Sequence, residues 1–346
     1  MNNMKFSRLV AGEHEMLTEF DKHGRIIKSV IDNKITTTYS YSNKFNRKFV
    51  KNGVNIGDRQ ENFVYELGRK GQILSTSKNG NLTSKFTYNK NGKLIKEENF
   101  VLNLVLLYSY DLDGDLIRKE IIDNSADGQK ILFEYKYKTI DGSKQLFEVS
   151  GEKFEFANGL PTTYRSETLA WNPLKQLDHI GNVCNFKYDS NNNRLLKMLN
   201  CDNNNADMVK YVYCDNKLIE QYGEYILKFN YCGNNIIGFT INNKEYFYIK
   251  DYNNTIIGIY DSNNMPVCEY QYYSNGNHKA YVFDDNCFVD ENLEYEFSNQ
   301  GLINKCIAEI NPFRYKSYYY DIETGLYYYN GKYYDADIGT EICYKS

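Results

Sequence analysis

Along the chain, two aromatic residues two apart precede a short run of Asn, Asp and Gly. An aliphatic pair and a Lys or Arg then follow. The clearest copies are Phe86-Thr-Tyr88-Asn-Lys-Asn-Gly92-Lys-Leu-Ile95-Lys96 and Tyr108-Ser-Tyr110-Asp-Leu-Asp-Gly114-Asp-Leu-Ile117-Arg118. Looser copies open at Tyr39-Ser-Tyr41, Phe63-Val-Tyr65, Phe186-Lys-Tyr188, Tyr211-Val-Tyr213 and Tyr246-Phe-Tyr248. Tyr41, Tyr65, Tyr88 and Tyr110 set a period of about 22 to 24 residues. Residues i and i+2 project to the same face of a strand. Asn-Gly and Asp-Gly supply the positive φ of a tight reversal. Each phrase therefore predicts a β-hairpin. A lone hairpin is marginal in water, so successive hairpins must pair edge to edge. The fold class expected is all-β: consecutive antiparallel hairpins forming a long curled sheet or partial hollow shell, since strands twist. Helical periodicity is weak. Phe154 to Glu167 contains Gly159 and Pro161 and predicts irregular chain or strand.

Composition sharpens this reading. Of 346 residues, 34 are Tyr and 4 are Pro. Tyr suits a half-buried pleated surface, and low proline permits unbroken ladders. Length gives a prior of roughly two domains or one large all-β unit. A formal charge of -4 argues against nucleic acid, which wants a positive excess. No run of about 18 apolar residues predicts a membrane span. The first residues lack the basic and apolar regions of a signal peptide. The compartment expected is thus cytoplasmic by default, with a dedicated export route as the alternative.

The candidate chemistry is sparse. Asp111, Asp113 and Asp115 invite a calcium reading, but an EF-hand would need Gly and Glu where Leu116 and Ile122 stand. A hairpin turn explains all three acids. The eight cysteines lie in the second half, at Cys184, Cys201, Cys214, Cys232, Cys268, Cys287, Cys306 and Cys343, without a CxxC pair. They are expected to be free strand thiols rather than disulfides. His14, His23, His179 and His278 are too scattered for zinc. Asp284-Asp285, or Glu294 and Glu296, are not positioned as glycosidase carboxylates. No metal and no cofactor is expected. The tyrosines either line the sheet wall or, if exposed, bind glycan or protein.

The phrase resembles the YD repeat of RHS proteins. Leu169-Ala-Trp171, the stretch from Glu245 to Asn263, and Glu269 to Asn277 are similar to segments of the bacterial members. The most specific match runs from Asn311 through Arg314, Tyr315, Tyr320, Asp321, Glu323, Gly325, Tyr333 and Tyr334 to Asp335. It resembles the RHS-associated core signature. The resemblance implies a hollow β-shell closed by an inward-spiralling C-terminal plug. It also implies degenerate hairpins over 1–168, RHS-like repeats over 169–310 and the plug over 311–346. Arg314, Asp321 and Glu323 would be charge partners that fix the plug. The signature residues are therefore structural candidates, with no catalytic residue. Some members cut a toxin free with aspartates. Here Ala336 follows Asp335 where the family carries Pro, and no second carboxylate matches, so neither self-cleavage nor a C-terminal toxin payload is expected. The function implied is a non-enzymatic shell scaffold related to toxin encapsulation and delivery. Its partner would be a toxin segment, a second shell-forming chain or a glycan. The alternative is a carbohydrate- or cell-surface-binding adhesion module that uses exposed tyrosines.

Overall fold

The computed structural model describes residues 5–11, 13–44, 47–124, 128–140, 143–199, 207–292 and 295–342. The chain divides into two compact units. The first comprises Met1–Leu132, Tyr231–Ile237 and Asn263–Met265. The second comprises Phe133–Asn230, Gly238–Ser262 and Pro266–Ser346.

In the first unit the strands from Lys5–Ala11 to Leu116–Asp123 pair antiparallel in chain order. A further sheet of 14 strands, most of it in the second unit, runs from Thr163–Tyr164 to Cys287–Asp290, also in chain order. This is the hairpin-after-hairpin architecture that the repeated phrase predicts. The stretch from Phe154 to Glu167 forms irregular chain with two-residue strands, as its Gly and Pro predict.

One phrase shows how the residues build the hairpin. Strand Asn81–Tyr88 pairs with Leu94–Asn99, with a bulge between Thr87 and Tyr88. The Asn89 side-chain oxygen accepts the amides of Asn91 and Lys93, both at 3.0 Å. Gly92 sits at φ +83°, in the left-handed region that favours glycine. The residue after the aromatic is thus a turn cap. Asp21, Asn172, Asp189 and Asp251 each accept the same pair of amides, two and four residues on.

The tyrosine of the phrase has its own partner. The Tyr88 hydroxyl donates to the Ile73 carbonyl at 2.8 Å, Tyr41 to Ile26, Tyr110 to Leu94 and Tyr272 to Ile256. Each acceptor is the first residue of an earlier return strand. In all four pairs the acceptor faces a bulge, where the ladder is interrupted. Each tyrosine closes a gap left by the hairpin before it. This explains the tyrosine excess better than strand propensity alone.

The weak helical signal conceals one helix, α1 (Asn299–Ile310). Ser298 caps its first turn. Asp284 accepts from the Ser298 amide at 2.8 Å and from its hydroxyl. A Cβ on Gly301 would come within 2.4 Å of the Asp284 carboxyl, so glycine is required there. A four-stranded sheet of Tyr319–Asp321, Leu326–Tyr329, Lys332–Asp335 and Thr340–Glu341 ends the described chain.

Candidate functional site

The signature sheet belongs to the second unit and is packed on both faces, one buried and the other buried at its centre. Strand alternation sends Tyr319, Asp321, Tyr328, Tyr333 and Asp335 to one face, and Tyr320, Tyr327 and Tyr334 to the other.

The first face meets strand Arg194–Leu199. Arg194 is 1% exposed and Asp321 0%. The guanidinium grips both carboxylate oxygens, at 2.6 and 2.9 Å. Lys197 bridges Asp321 at 3.0 Å and Glu323 at 2.8 Å. The guanidinium also lies over the rings of Tyr328, Tyr211 and Tyr319, 4.5 to 4.9 Å from their centroids. Two cations and two carboxylates balance here. Burial would push the Asp321 carboxyl up, but Arg194 and Lys197 hold it below its ordinary value. A hydroxyl chain extends the contact: Tyr211 donates to Tyr319, which donates to Gln221 at 2.7 Å. Tyr188 and Tyr333 share a hydrogen bond at 2.7 Å.

The second face grips a turn. Tyr315 donates to the Ser274 carbonyl, Tyr334 to Asn275 and Tyr327 to Gly276, at 2.6 to 3.0 Å. At the position that Asp or Asn caps elsewhere, this turn carries Tyr273. Three signature hydroxyls take its consecutive carbonyls. Tyr327 also meets His278 Nδ1 at 3.1 Å, and Arg314 meets Nε2. Burial and Arg314 keep the His278 imidazole well below its ordinary pKa. With Arg314 donating to Nε2, the proton resides on Nδ1.

Arg314 does not join Asp321 and Glu323. Its guanidinium reaches the carbonyls of Ala308, Glu309 and Asn311, at the C-terminal end of α1. It is a helix cap, placed where the macrodipole favours a cation. The charge partners of Asp321 and Glu323 are Arg194 and Lys197 instead. Sequence reasoning missed both, because charges that flank an aliphatic pair, as Arg194 and Lys197 flank Leu195-Leu196, read as a solvated strand face. Gly325 sits at φ +71° in the turn closed by its amide on the Asp321 carbonyl.

Asp335 is buried and accepts from the Tyr164 hydroxyl at 2.5 Å and from the amides of Asp337 and Ile338. Arg165 lies 2.6 Å from both Asp335 and Asp337. Burial raises the Asp335 carboxyl, and Arg165 opposes that rise.

Elsewhere, the carboxylate oxygens of Asp111, Asp113 and Asp115 lie within 4.8 Å of one another. The Asp111 carboxylate accepts the Asp115 amide at 2.8 Å, as a turn cap. Cys184, Cys214, Cys232, Cys268, Cys287 and Cys306 are free thiols. Cys201, Cys343 and Glu294 lie outside the described residues. A cavity of about 670 Å³ opens beside Lys197, Glu323 and Tyr319.

No family model matches the chain. It is 25% identical over 264 residues to the tRNA3(Ser)-specific nuclease WapA of Bacillus spizizenii, an alignment spanning 73% of this chain and 10% of that protein. The crystal structure of TcdB2-TccC3-TEV superposes with a TM-score of 0.68 at 16% identity, over 98% of this chain and 19% of that one. TcdB2-TccC3 gives 0.68 at 15%, and TcdB2-TccC3-Cdc42 gives 0.67 at 16%, with the same coverage. The chain therefore spans a tenth to a fifth of the length of these relatives, and the structural likenesses speak for the fold. In its hairpin phrase and its two-faced tyrosine signature the chain is similar to proteins of the RHS/YD-repeat type, and it shares the fold of these solved structures.

Proposed function

We propose that residues 1–346 are a non-enzymatic scaffold of the toxin-related RHS type, without a toxin payload of their own. The repeats over 1–168 and 169–310 form the wall, the signature over 311–346 closes it, and the work is enclosure or docking of a partner segment. The observation that carries this reading is that the candidate chemical groups of the signature are consumed by folding contacts. Asp321 is held by Arg194 and Lys197. Asp335 is held by Tyr164, Arg165 and two amides. An aspartyl dyad needs two carboxyls that share a proton. Here Asp335 and Asp337 are joined through one guanidinium, that of Arg165, which opposes the rise that burial gives the Asp335 carboxyl.

The purified chain is incubated alone and with bulk tRNA, because the curated relative is named as a nuclease. The expected result is an unchanged 40.6 kDa mass and intact RNA. Self-cleavage lost in Asp335→Asn, or RNA cleavage by the pure chain, overturns the reading.

A further inference from the structure

The cavity beside the Arg194 cluster has walls of one character and charge of another. Its volume of about 670 Å³ lies in the range of ligand pockets. Leu199, Val209, Leu227 and Pro312 line it, and Met208 and Ile322 stand at its mouth, 51% and 58% exposed. The apolar wall with a few polar groups has the composition of a ligand pocket. The charge is lopsided. Four carboxylates line the cavity, from Asp207, Glu224, Glu309 and Glu323, against one cation, Lys197. Lys197 is already neutralised by Asp321 and Glu323. Asp207, Glu224 and Glu309 are exposed and therefore carry their charge at the rim.

We infer that this cavity binds an extended peptide segment in which Lys or Arg alternates with aliphatic residues. The aliphatic side chains enter the wall and the cations meet the rim carboxylates. This rests on the scaffold reading, of which it names one docking point. An anionic segment would be repelled by the three rim carboxylates, and a purely apolar one would cover them without answering their charge, which is costly.

The test uses the full chain and fluorescence anisotropy with labelled peptides. Ac-Ile-Lys-Ile-Arg-Ile is the probe; Ac-Ile-Glu-Ile-Glu-Ile and Ac-Gly-Lys-Gly-Arg-Gly are the controls. The cationic apolar probe is expected to bind and the acidic control not to bind. The glycine control is expected to bind at least about tenfold more weakly, from the loss of buried aliphatic area. Asp207→Asn, Glu224→Gln and Glu309→Gln should each weaken the probe about two- to fivefold. The triple variant should weaken it roughly tenfold or more, with its melting temperature unchanged. Raising salt should weaken the wild type and leave the triple variant nearly flat. No binding of the probe, equal binding by the triple variant, or equal binding of the glycine control overturns the inference. None of these outcomes bears on RNA cleavage or self-cleavage, so the scaffold reading stands or falls separately.

Discussion

The sheet from Lys5 to Asp123 and the sheet from Thr163 to Asp290 use the same hairpin phrase, yet they bury different groups. In the first, apolar groups such as Val50, Val54, Tyr65 and Leu106 are buried, and with them the polar groups Thr18, Asn52, Ser84, Glu97, Asn99 and Lys119. Both polar atoms of the Asn52 side chain are buried without a hydrogen-bond partner among the described residues. In the second, the buried set is dominated by groups such as Leu177, Phe186, Phe229, Phe239 and Ile259. Its buried cations, Arg194 and Lys197, are answered by Asp321. The phrase therefore dictates the hairpin and its turn, and leaves the core open. In the second unit the signature sheet completes that core, with one face on the ion cluster and the other on a turn.

The largest way to break this contrast is Asp321→Ala. It leaves Arg194 buried without its carboxylate, at a cost of about 3–5 kcal/mol. Urea unfolding of the full chain should show that loss. A change under about 1 kcal/mol would mean that the cluster holds nothing.

Next come the hydroxyls. Tyr327→Phe strands the buried Gly276 carbonyl and should cost about 1–3 kcal/mol. Tyr88→Phe removes the same kind of latch from the first unit. Tyr88 is only half-buried, so water can take over, and the cost should be about 0.5–1.5 kcal/mol. Equal costs would erase the distinction between the two units.

Asn52→Val should act in the opposite direction. Replacing the unpartnered amide with a β-branched apolar group is expected to stabilise the chain by about 1 kcal/mol, read as a higher urea midpoint. Destabilisation would show that the amide has a partner.

The smallest effect is a pH slope. His278 is neutral when folded, with its pKa depressed, whereas the unfolded chain takes up a proton near pH 6.5. Its contribution is therefore present above that pH and lost as pH falls. Asp251, raised to about 6 by burial, works the other way, since its folded form gains a proton first. The difference between wild type and His278→Gln isolates the histidine. The wild type should lose more stability between pH 7 and pH 5 than the variant. Identical slopes would refute the neutral, Arg314-facing assignment. Asp321, held below its ordinary value, adds a second loss only at more acid pH, below roughly pH 4.

Much of the fold was legible because it is local. Aromatic spacing, Asn-Gly turns and period-two alternation act within one hairpin, and each phrase repeats the message. The consecutive tyrosines from Tyr318 to Tyr320 and Tyr327 to Tyr329 were equally visible, but their cause was not. Neighbouring tyrosines face opposite ways, so the run reports a sheet packed on both sides. Helix α1 was hidden because its buried positions include Gly301 and Asn304, which dilute the apolar period. The pairing of Arg194 with Asp321 spans 127 residues, and nothing local marks either partner. Arg314 was singled out by its motif, but its role as a helix cap depends on a helix the motif does not announce.

The central claim is that the Arg194–Asp321 cluster ties the signature sheet to its wall. Hydrogen–deuterium exchange on Asp321→Asn tests it most directly. The account predicts faster exchange in Tyr319–Asp321, Leu326–Tyr329 and Arg194–Leu199, with Asn81–Tyr88 and Leu94–Asn99 unchanged. Unaltered protection in the signature strands, or the same loss across both sheets, would contradict it.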